Sequence, residues 1–300
     1  YLDADFGFAP LLGGECDCPN YALFQSTRDR QIEVYKLDPV PGGAPLNLTR
    51  YGGTDLEPAR SPDGQWVAYQ SRREANRWQL FMVSSDGEAV VRLTNLPADT
   101  TDPQWAPGCK DGRLAYQSNQ NGHWDIYALS LDTMASTRLT DDRHDDINPN
   151  WTPDGLEIAF ETNRDGHWQI YIMNADGTNQ RPLFTSRGDD RNPVWSPDGM
   201  RLAFESNRYN GRWQVYVFDR ATGQITNVSG GREIDIKPAW SPDSMRLVYQ
   251  ASHWGGWDIY VVNADGTDKH CVACEWMYEE NPDWSCDGTQ IVFQSYDRNG

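Results

Sequence analysis

The sequence predicts an all-β propeller of four-stranded antiparallel blades, and three observations predict it. The segment Pro193-Val-Trp-Ser-Pro-Asp-Gly199 recurs at Pro58–Gly64, Pro103–Gly108, Pro149–Gly155, Pro238–Ser244 and Pro282–Gly288. The leading prolines step by 45, 46, 44, 45 and 44 residues, a period that marks a propeller or a solenoid when the content is strand-like. The content is strand-like throughout, with no helical periodicity. A propeller grows by adding blades to one ring, so residues 1–300 are expected to form a single domain with repeats beginning near 58, 103, 149, 193, 238 and 282.

The repeat from Pro193 to Ser229 predicts each element in turn. Asn192 to Trp195 is a short inner strand with proline at its start, where a missing N–H is tolerated. Ser196-Pro-Asp-Gly199 is a tight turn, in which proline fixes φ, aspartate bonds local backbone and glycine accepts positive φ. Arg201 to Ser206 is the second strand, Asn207 to Gly211 a hairpin loop and Trp213 to Phe218 the third strand, rich in aromatic and β-branched residues. Ile225 to Val228 is the outer strand. Third strands align as Trp78-Gln-Leu-Phe81, Trp124-Asp-Ile-Tyr127, Trp168-Gln-Ile-Tyr171, Trp213-Gln-Val-Tyr216 and Trp257-Asp-Ile-Tyr260, and aromatics in fixed slots read as blade packing.

Seven second strands, around Phe24, Tyr69, Tyr116, Phe160, Phe204, Tyr249 and Phe293, predict seven blades; six blades with an extra hairpin is the alternative. The segment Tyr1 to Leu12 is similar to Tyr171 to Phe184, so the two ends of the chain are expected to share one blade and pair its free edge.

These residues resemble the repeat of the TolB-type propeller family: a Pro-x-Trp-Ser-Pro-Asp-Gly turn, an Ile-Ala-Phe-x-Ser strand, an Arg-Asp-Gly loop, an Ile-Tyr-x-Met strand, an Asp-Gly turn and Arg-Leu-Thr. The copy from Asn148 to Thr185 matches nearly throughout. Such propellers occur as periplasmic binding proteins of the Tol-Pal system, as extracytoplasmic domains, and as gating domains of prolyl oligopeptidase-like enzymes. The resemblance therefore implies an extracytoplasmic location, whether periplasmic, cell-surface or secreted.

The 26 basic and 44 acidic residues leave a formal net charge of -18. That surface disfavours nucleic acid, whose binding relies on neutralising phosphates with Lys and Arg. It favours basic peptides, cationic ligands and divalent metals. No apolar run approaches a membrane span. A chain that starts at Tyr1 without an export signal is expected to be a processed or excised product.

Three residues before each repeat proline stand Asp55, Thr100, Asp146, Asp190, Asp235 and Glu279. The slot lies where the chain enters the inner strand, so these carboxylates are expected around one mouth of the central channel, with Glu57, Asp102, Asp145, Asp189 and Glu280 beside them. Crowded like charges need compensation. Calcium at Asp146, Asp190 and Asp235 would supply it, and so would a basic peptide; the alternative is that each carboxylate caps its own loop. No cofactor is expected apart from such a calcium ion.

Trp254 and Trp276 fall outside the repeat slots and are the candidates for exposed aromatics that could stack on a glycan. Cysteines stand at 16, 18, 109, 271, 274 and 286. Cys271-Val-Ala-Cys274 and Cys16-Asp-Cys18 could bind zinc together. The family pattern and an exported location imply disulfides instead, and in a seven-blade ring Cys16 or Cys18 would lie near Cys286. No Gly-x-Ser-x-Gly, His-Glu-x-x-His or phosphate loop occurs. His123 and His167 share one hairpin slot, and His144, beside Asp145 and Asp146, is the remaining catalytic candidate.

The leading expectation is a non-catalytic extracytoplasmic propeller that binds a protein or peptide, basic in character, through its channel mouth or one face. The rivals are a carbohydrate-binding or polysaccharide-active propeller, and the gating propeller of a prolyl oligopeptidase-like enzyme.

Overall fold

The computed structural model describes residues 21–38, 43–50, 52–74, 76–108, 112–253, 255–274 and 278–296. Within them the chain forms antiparallel sheets in sequence order, five of them four-stranded. The fourth blade shows the plan: inner strand Asp190–Trp195, then Arg201–Ser206, Gln214–Asp219 and the outer strand Ile225–Asn227. The other inner strands are Asp55–Arg60, Thr100–Trp105, Asp146–Trp151, Asp235–Trp240 and Tyr278–Trp284, which define the first, second, third, fifth and sixth blades.

The ring therefore has six blades, and the expectation of seven is corrected. A blade stands on its inner strand, and the described residues hold six of these. The sheet Ala22–Ser26, Glu33–Leu37, Leu46–Asn47 has no inner strand among the described residues and packs against Asp55–Arg60. Counting second strands overstates the number because Phe24 and Phe293 each sit on one, from opposite ends of the chain. Both ends meet at Arg60, whose guanidinium donates to the Tyr21 carbonyl at 3.0 Å and to Cys286 Sγ at 3.4 Å. The shared blade expected from residues 1–12 lies outside the described residues.

The Ser-Pro-Asp-Gly turns all close the same way. Ser196 Oγ donates to Asp198 Oδ1 at 2.5 Å and accepts from Arg201 N at 3.0 Å, while Gly199 sits at φ 69°, where a side chain would be strained. The recurring Leu-Thr slot is equally structural. Thr94 and Thr140 accept from the third-strand N–H groups of Leu80 and Ile126 at 2.8 and 3.0 Å.

Core residues alternate along the second and third strands, and their clusters straddle neighbouring blades. One joins Ala159, Ile170 and Ile172 of the third blade to Trp195, Leu202 and Phe204 of the fourth. The turn tryptophans reach backwards: Trp105, Trp151 and Trp240 donate Nε1 to Ala59, Gln104 and Val194 carbonyls in the preceding blade, at 2.9, 3.3 and 3.0 Å. Trp195 is as buried as Trp240, yet its Nε1 has no partner.

That contrast generates a test. Trp240→Phe loses ring volume and a hydrogen bond, whereas Trp195→Phe loses ring volume alone. Urea unfolding should show Trp240→Phe the more destabilised by about 0.5–1.5 kcal/mol.

Candidate functional site

The carboxylates expected around the channel mouth lie inside the blades. Asp55, Thr100, Asp146, Asp190 and Asp235 are 0% exposed, and Glu279 is 2% exposed. Three of them hold the arginine of their own hairpin loop: Arg73 meets Asp55 at 3.3 Å, Arg164 meets Asp146 at 3.0 Å and Arg208 meets Asp190 at 2.9 Å. Each guanidinium also lies over third-strand aromatic rings, as Arg164 does over Tyr171 at 4.7 Å and Arg208 over Tyr216 at 5.0 Å. Asp235 accepts from Gln214 at 3.1 Å. Burial pushes Asp55 and Asp146 up from the usual carboxylate range and Asp235 up to about 6. The slot is thus an internal latch. Among the described residues no group of three or more His, Cys, Asp or Glu is placed to hold a metal ion, so Asp146, Asp190 and Asp235 do not assemble a calcium site. Asp145 and Asp189 cap loops by accepting from Trp124 N and Trp168 N, each at 3.0 Å.

The residues that converge on the channel are those directly before each repeat proline. Glu57, Asp102, Asn148, Asn192, Lys237 and Asn281 have φ between 50° and 57°, the left-handed region that non-glycine residues seldom occupy. Each marks a β-bulge between the inner and second strands. The bulge turns the N–H toward the preceding blade. There Gln70, Gln117, Glu161, Glu205 and Gln250 accept from Asp102, Asn148, Asn192, Lys237 and Asn281 at 3.1, 2.7, 2.7, 2.8 and 2.8 Å.

Glu57, Asp102 and Lys237 lie within electrostatic reach of one another. Asp102 is pushed up to about 6, first by burial and then by the charge of Glu57 in the first blade, while Lys237 of the fifth blade pulls it back. The second and fifth blades stand opposite in a six-blade ring, so that pull acts across the channel. Asn148 Nδ2 comes within 3.5 Å of Asn192 Oδ1.

Sequence reasoning noted Glu57 and Asp102 only as neighbours of the acidic slot and missed Asn148, Asn192, Lys237 and Asn281. The signal was available, since four of the six are Asn or Asp, the residues that best tolerate the left-handed region.

The acceptor slot carries the second departure. Gln serves at 70, 117 and 250, whereas the third and fourth blades place Glu161 and Glu205 there. Glu161 is fully buried, and its Oε1 accepts from Asn148 Nδ2 and Asn192 N while its Oε2 has no partner. Burial raises it from its ordinary 4.5 to about 7. Burial also raises Glu205, which accepts from Lys237 N and Asn192 Nδ2.

On the face carrying the hairpin loops, Arg191 lies between the rings of Trp168 and Trp213, at 4.9 and 5.6 Å from their centroids. An open cavity of about 530 Å³ adjoins it, lined by His144, Asn163, Arg164, His167, Trp168 and Asp189. His144 Nδ1 is 3.3 Å from Asp142, and His123 Nε2 is 3.3 Å from Asp125. Cys271, within the outer strand His270–Ala273 of the fifth blade, and Cys274, just after it, form a disulfide pair with Cα atoms 6.2 Å apart, and Cys286 is also in a disulfide. Trp254, Trp276, Cys16, Cys18 and Cys109 lie outside the described residues.

Two measurements check these roles. Arg208→Met strands the Asp190 carboxylate inside the fourth blade and should cost about 3 kcal/mol or more by urea unfolding. Glu161 keeps its proton in the folded protein from about pH 4.5 to 7, where the unfolded chain has lost it. Its contribution to stability therefore falls as pH rises through that window. Glu161→Gln should flatten the dependence of melting temperature on pH between 5 and 7 and raise the melting temperature at pH 8.

Comparisons with known proteins agree with this architecture. An uncharacterised protein of Agrobacterium fabrum is 32% identical over 80 residues, which is 27% of this chain and 25% of that protein's own length. TolB from Acinetobacter baumannii superposes with a TM-score of 0.68 at 21% identity, over 89% of this chain and 66% of that one. An oligogalacturonate lyase in complex with manganese superposes with a TM-score of 0.72 at 20% identity, over 91% of this chain and 82% of that one. At such identities the structural likenesses show the fold alone. The model of the TolB beta propeller domain matches residues 93–207 and 172–300, more than half of the sequence, and the chain belongs to the TolB β-propeller family.

Proposed function

We propose that this propeller is a non-catalytic, extracytoplasmic binding module that receives a protein or peptide, basic in character, at its channel mouth. The observation that carries the reading is the separation of tasks in the bulges. The backbone N–H ties one blade to the next at five bulges, so the side chains of Glu57, Asp102 and Lys237 are not needed for that tie, while Asn148, Asn192 and Asn281 bond second-strand side chains through their amide nitrogens. They present carboxylates, amides and one ammonium around a single axis, different at each position. Such a ring can hydrogen-bond an extended chain and read its charge. The net charge of -18 steers basic partners toward it. Family members that serve as periplasmic binding proteins support the same reading.

An extracytoplasmic location accords with a Cys271–Cys274 bridge, because disulfides persist in oxidising compartments. Mass spectrometry of native secreted material under non-reducing conditions should find at least one disulfide involving Cys271, Cys274 or Cys286. Six alkylatable thiols would overturn the location.

Binding is checked by fluorescence anisotropy with a fluorescein-labelled peptide of alternating lysine and alanine. The peptide should bind, more weakly as salt rises. Glu57→Gln with Asp102→Asn should weaken binding about tenfold or more without lowering the melting temperature. Affinity unchanged in that double variant would remove the channel mouth as the site.

A further inference from the structure

The position after each latch carboxylate is Leu56, Thr101, Ile147, Ile236 or Glu280 in five inner strands and Arg191 in the fourth. Three arginines of the hairpin slot hold a carboxylate: Arg73 has Asp55, Arg164 has Asp146 and Arg208 has Asp190. Arg191 has no ion-pair partner among the described residues. Its guanidinium rests on the faces of Trp168 and Trp213, which come from the third and fourth blades, so the clamp straddles a blade interface. Its Nε is sealed from solvent without an acceptor. Glu161 and Glu205, whose carboxyls feel its charge, are bound elsewhere. Their Oε1 atoms already accept from Asn148 Nδ2 and Asn192 N, and from Asn192 Nδ2 and Lys237 N.

A guanidinium placed over two aromatic rings has given up rotamer freedom before any ligand arrives. What it keeps is its edge, a planar fork of N–H donors whose match is a carboxylate. Arg191 is partly exposed, and Trp168, one of its two rings, also lines the open cavity of about 530 Å³, which gives a ligand room on that side of the clamp.

We infer that Arg191, fixed between Trp168 and Trp213, is a carboxylate receptor for the bound peptide, anchoring either its C-terminal carboxylate or an acidic side chain. The inference rests on the peptide-binding reading above and adds polarity to it: lysines face the acidic channel residues while one carboxylate docks at the interface of the third and fourth blades.

The test uses the alternating lysine–alanine peptide in three forms: free C-terminal carboxylate, C-terminal amide, and amide with one internal glutamate. For the wild-type chain the free-carboxylate form should bind about tenfold tighter than the amide, as one charge-assisted bidentate contact provides. Recovery of that gain by the internal glutamate would assign the carboxylate to a side chain, and its absence would assign it to the C-terminus. Arg191→Gln should erase the difference between carboxylate and amide forms and leave the amide's affinity unchanged. Arg191→Lys keeps a cation between the rings without the fork and should keep only part of the preference. Equal binding of the carboxylate and amide forms to the wild type would overturn the inference and leave the peptide reading standing. A preference that persists in Arg191→Gln would overturn it as well. If no form binds, the peptide reading itself falls and the receptor with it. An oligogalacturonate bound more tightly than every peptide, and released by Arg191→Gln, would overturn the assignment to a peptide carboxylate.

Discussion

The structure depends on a backbone device, the left-handed residue before each repeat proline. Positive φ at a residue that is not glycine costs about 1–2 kcal/mol, and the chain accepts that cost six times. The bulge that results points a peptide N–H out of its own sheet and into the neighbouring blade. There a side-chain oxygen of the second strand accepts it, as Gln117 accepts from Asn148. Sheets packed only through apolar side chains could slide over one another. A directional bond near the axis fixes their rotation and height together, and the tryptophans donating backwards from the turns repeat the fixation at the opposite end.

Within the first, third and fourth blades a second device secures the loop face. A buried carboxylate holds an arginine, and the arginine lies over the aromatic pair of the second and third strands, as Asp190, Arg208, Phe204 and Tyr216 do together. The carboxylate is hidden, so the bulge ring takes its carboxylates from Glu57 and Asp102, not from the more regular acidic slot. Residues that recur are consumed by the framework, and departures within a shared slot mark where the blades differ. Arg191 among Leu56, Ile147 and Ile236, and Glu161 and Glu205 among Gln70, Gln117 and Gln250, are instances.

Much of this was legible in the sequence. Proline spacing predicted the propeller, and the turn, hairpin and outer-strand motifs placed the strands where the structure has them. The blade number was not legible, because a second strand looks the same whether or not an inner strand accompanies it. The orientation of the acidic slot was missed for a different reason. A bulge shifts the alternation of sides by one residue, so counting from the proline sends Asp146 and Asp190 to the wrong side of the strand. A pairing signal was present all along. Asp55, Asp146 and Asp190 each precede an arginine by 18 residues, at Arg73, Arg164 and Arg208. Where Thr100 replaces the acid, Gln120 stands in the hairpin position that holds arginine elsewhere.

Holding the ring through backbone N–H groups has an evolutionary consequence. The bond from Asn192 to Glu161 or from Lys237 to Glu205 asks nothing of the donor's side chain beyond tolerance of the left-handed region. A substitution at Glu57, Asp102 or Lys237 can change what the channel displays while the backbone ties between blades stay in place. Three positions can then be altered one at a time, each mutational step leaving a folded protein. A lineage with this scaffold can move between ligands through a series of single, individually viable changes, without passing through a broken ring.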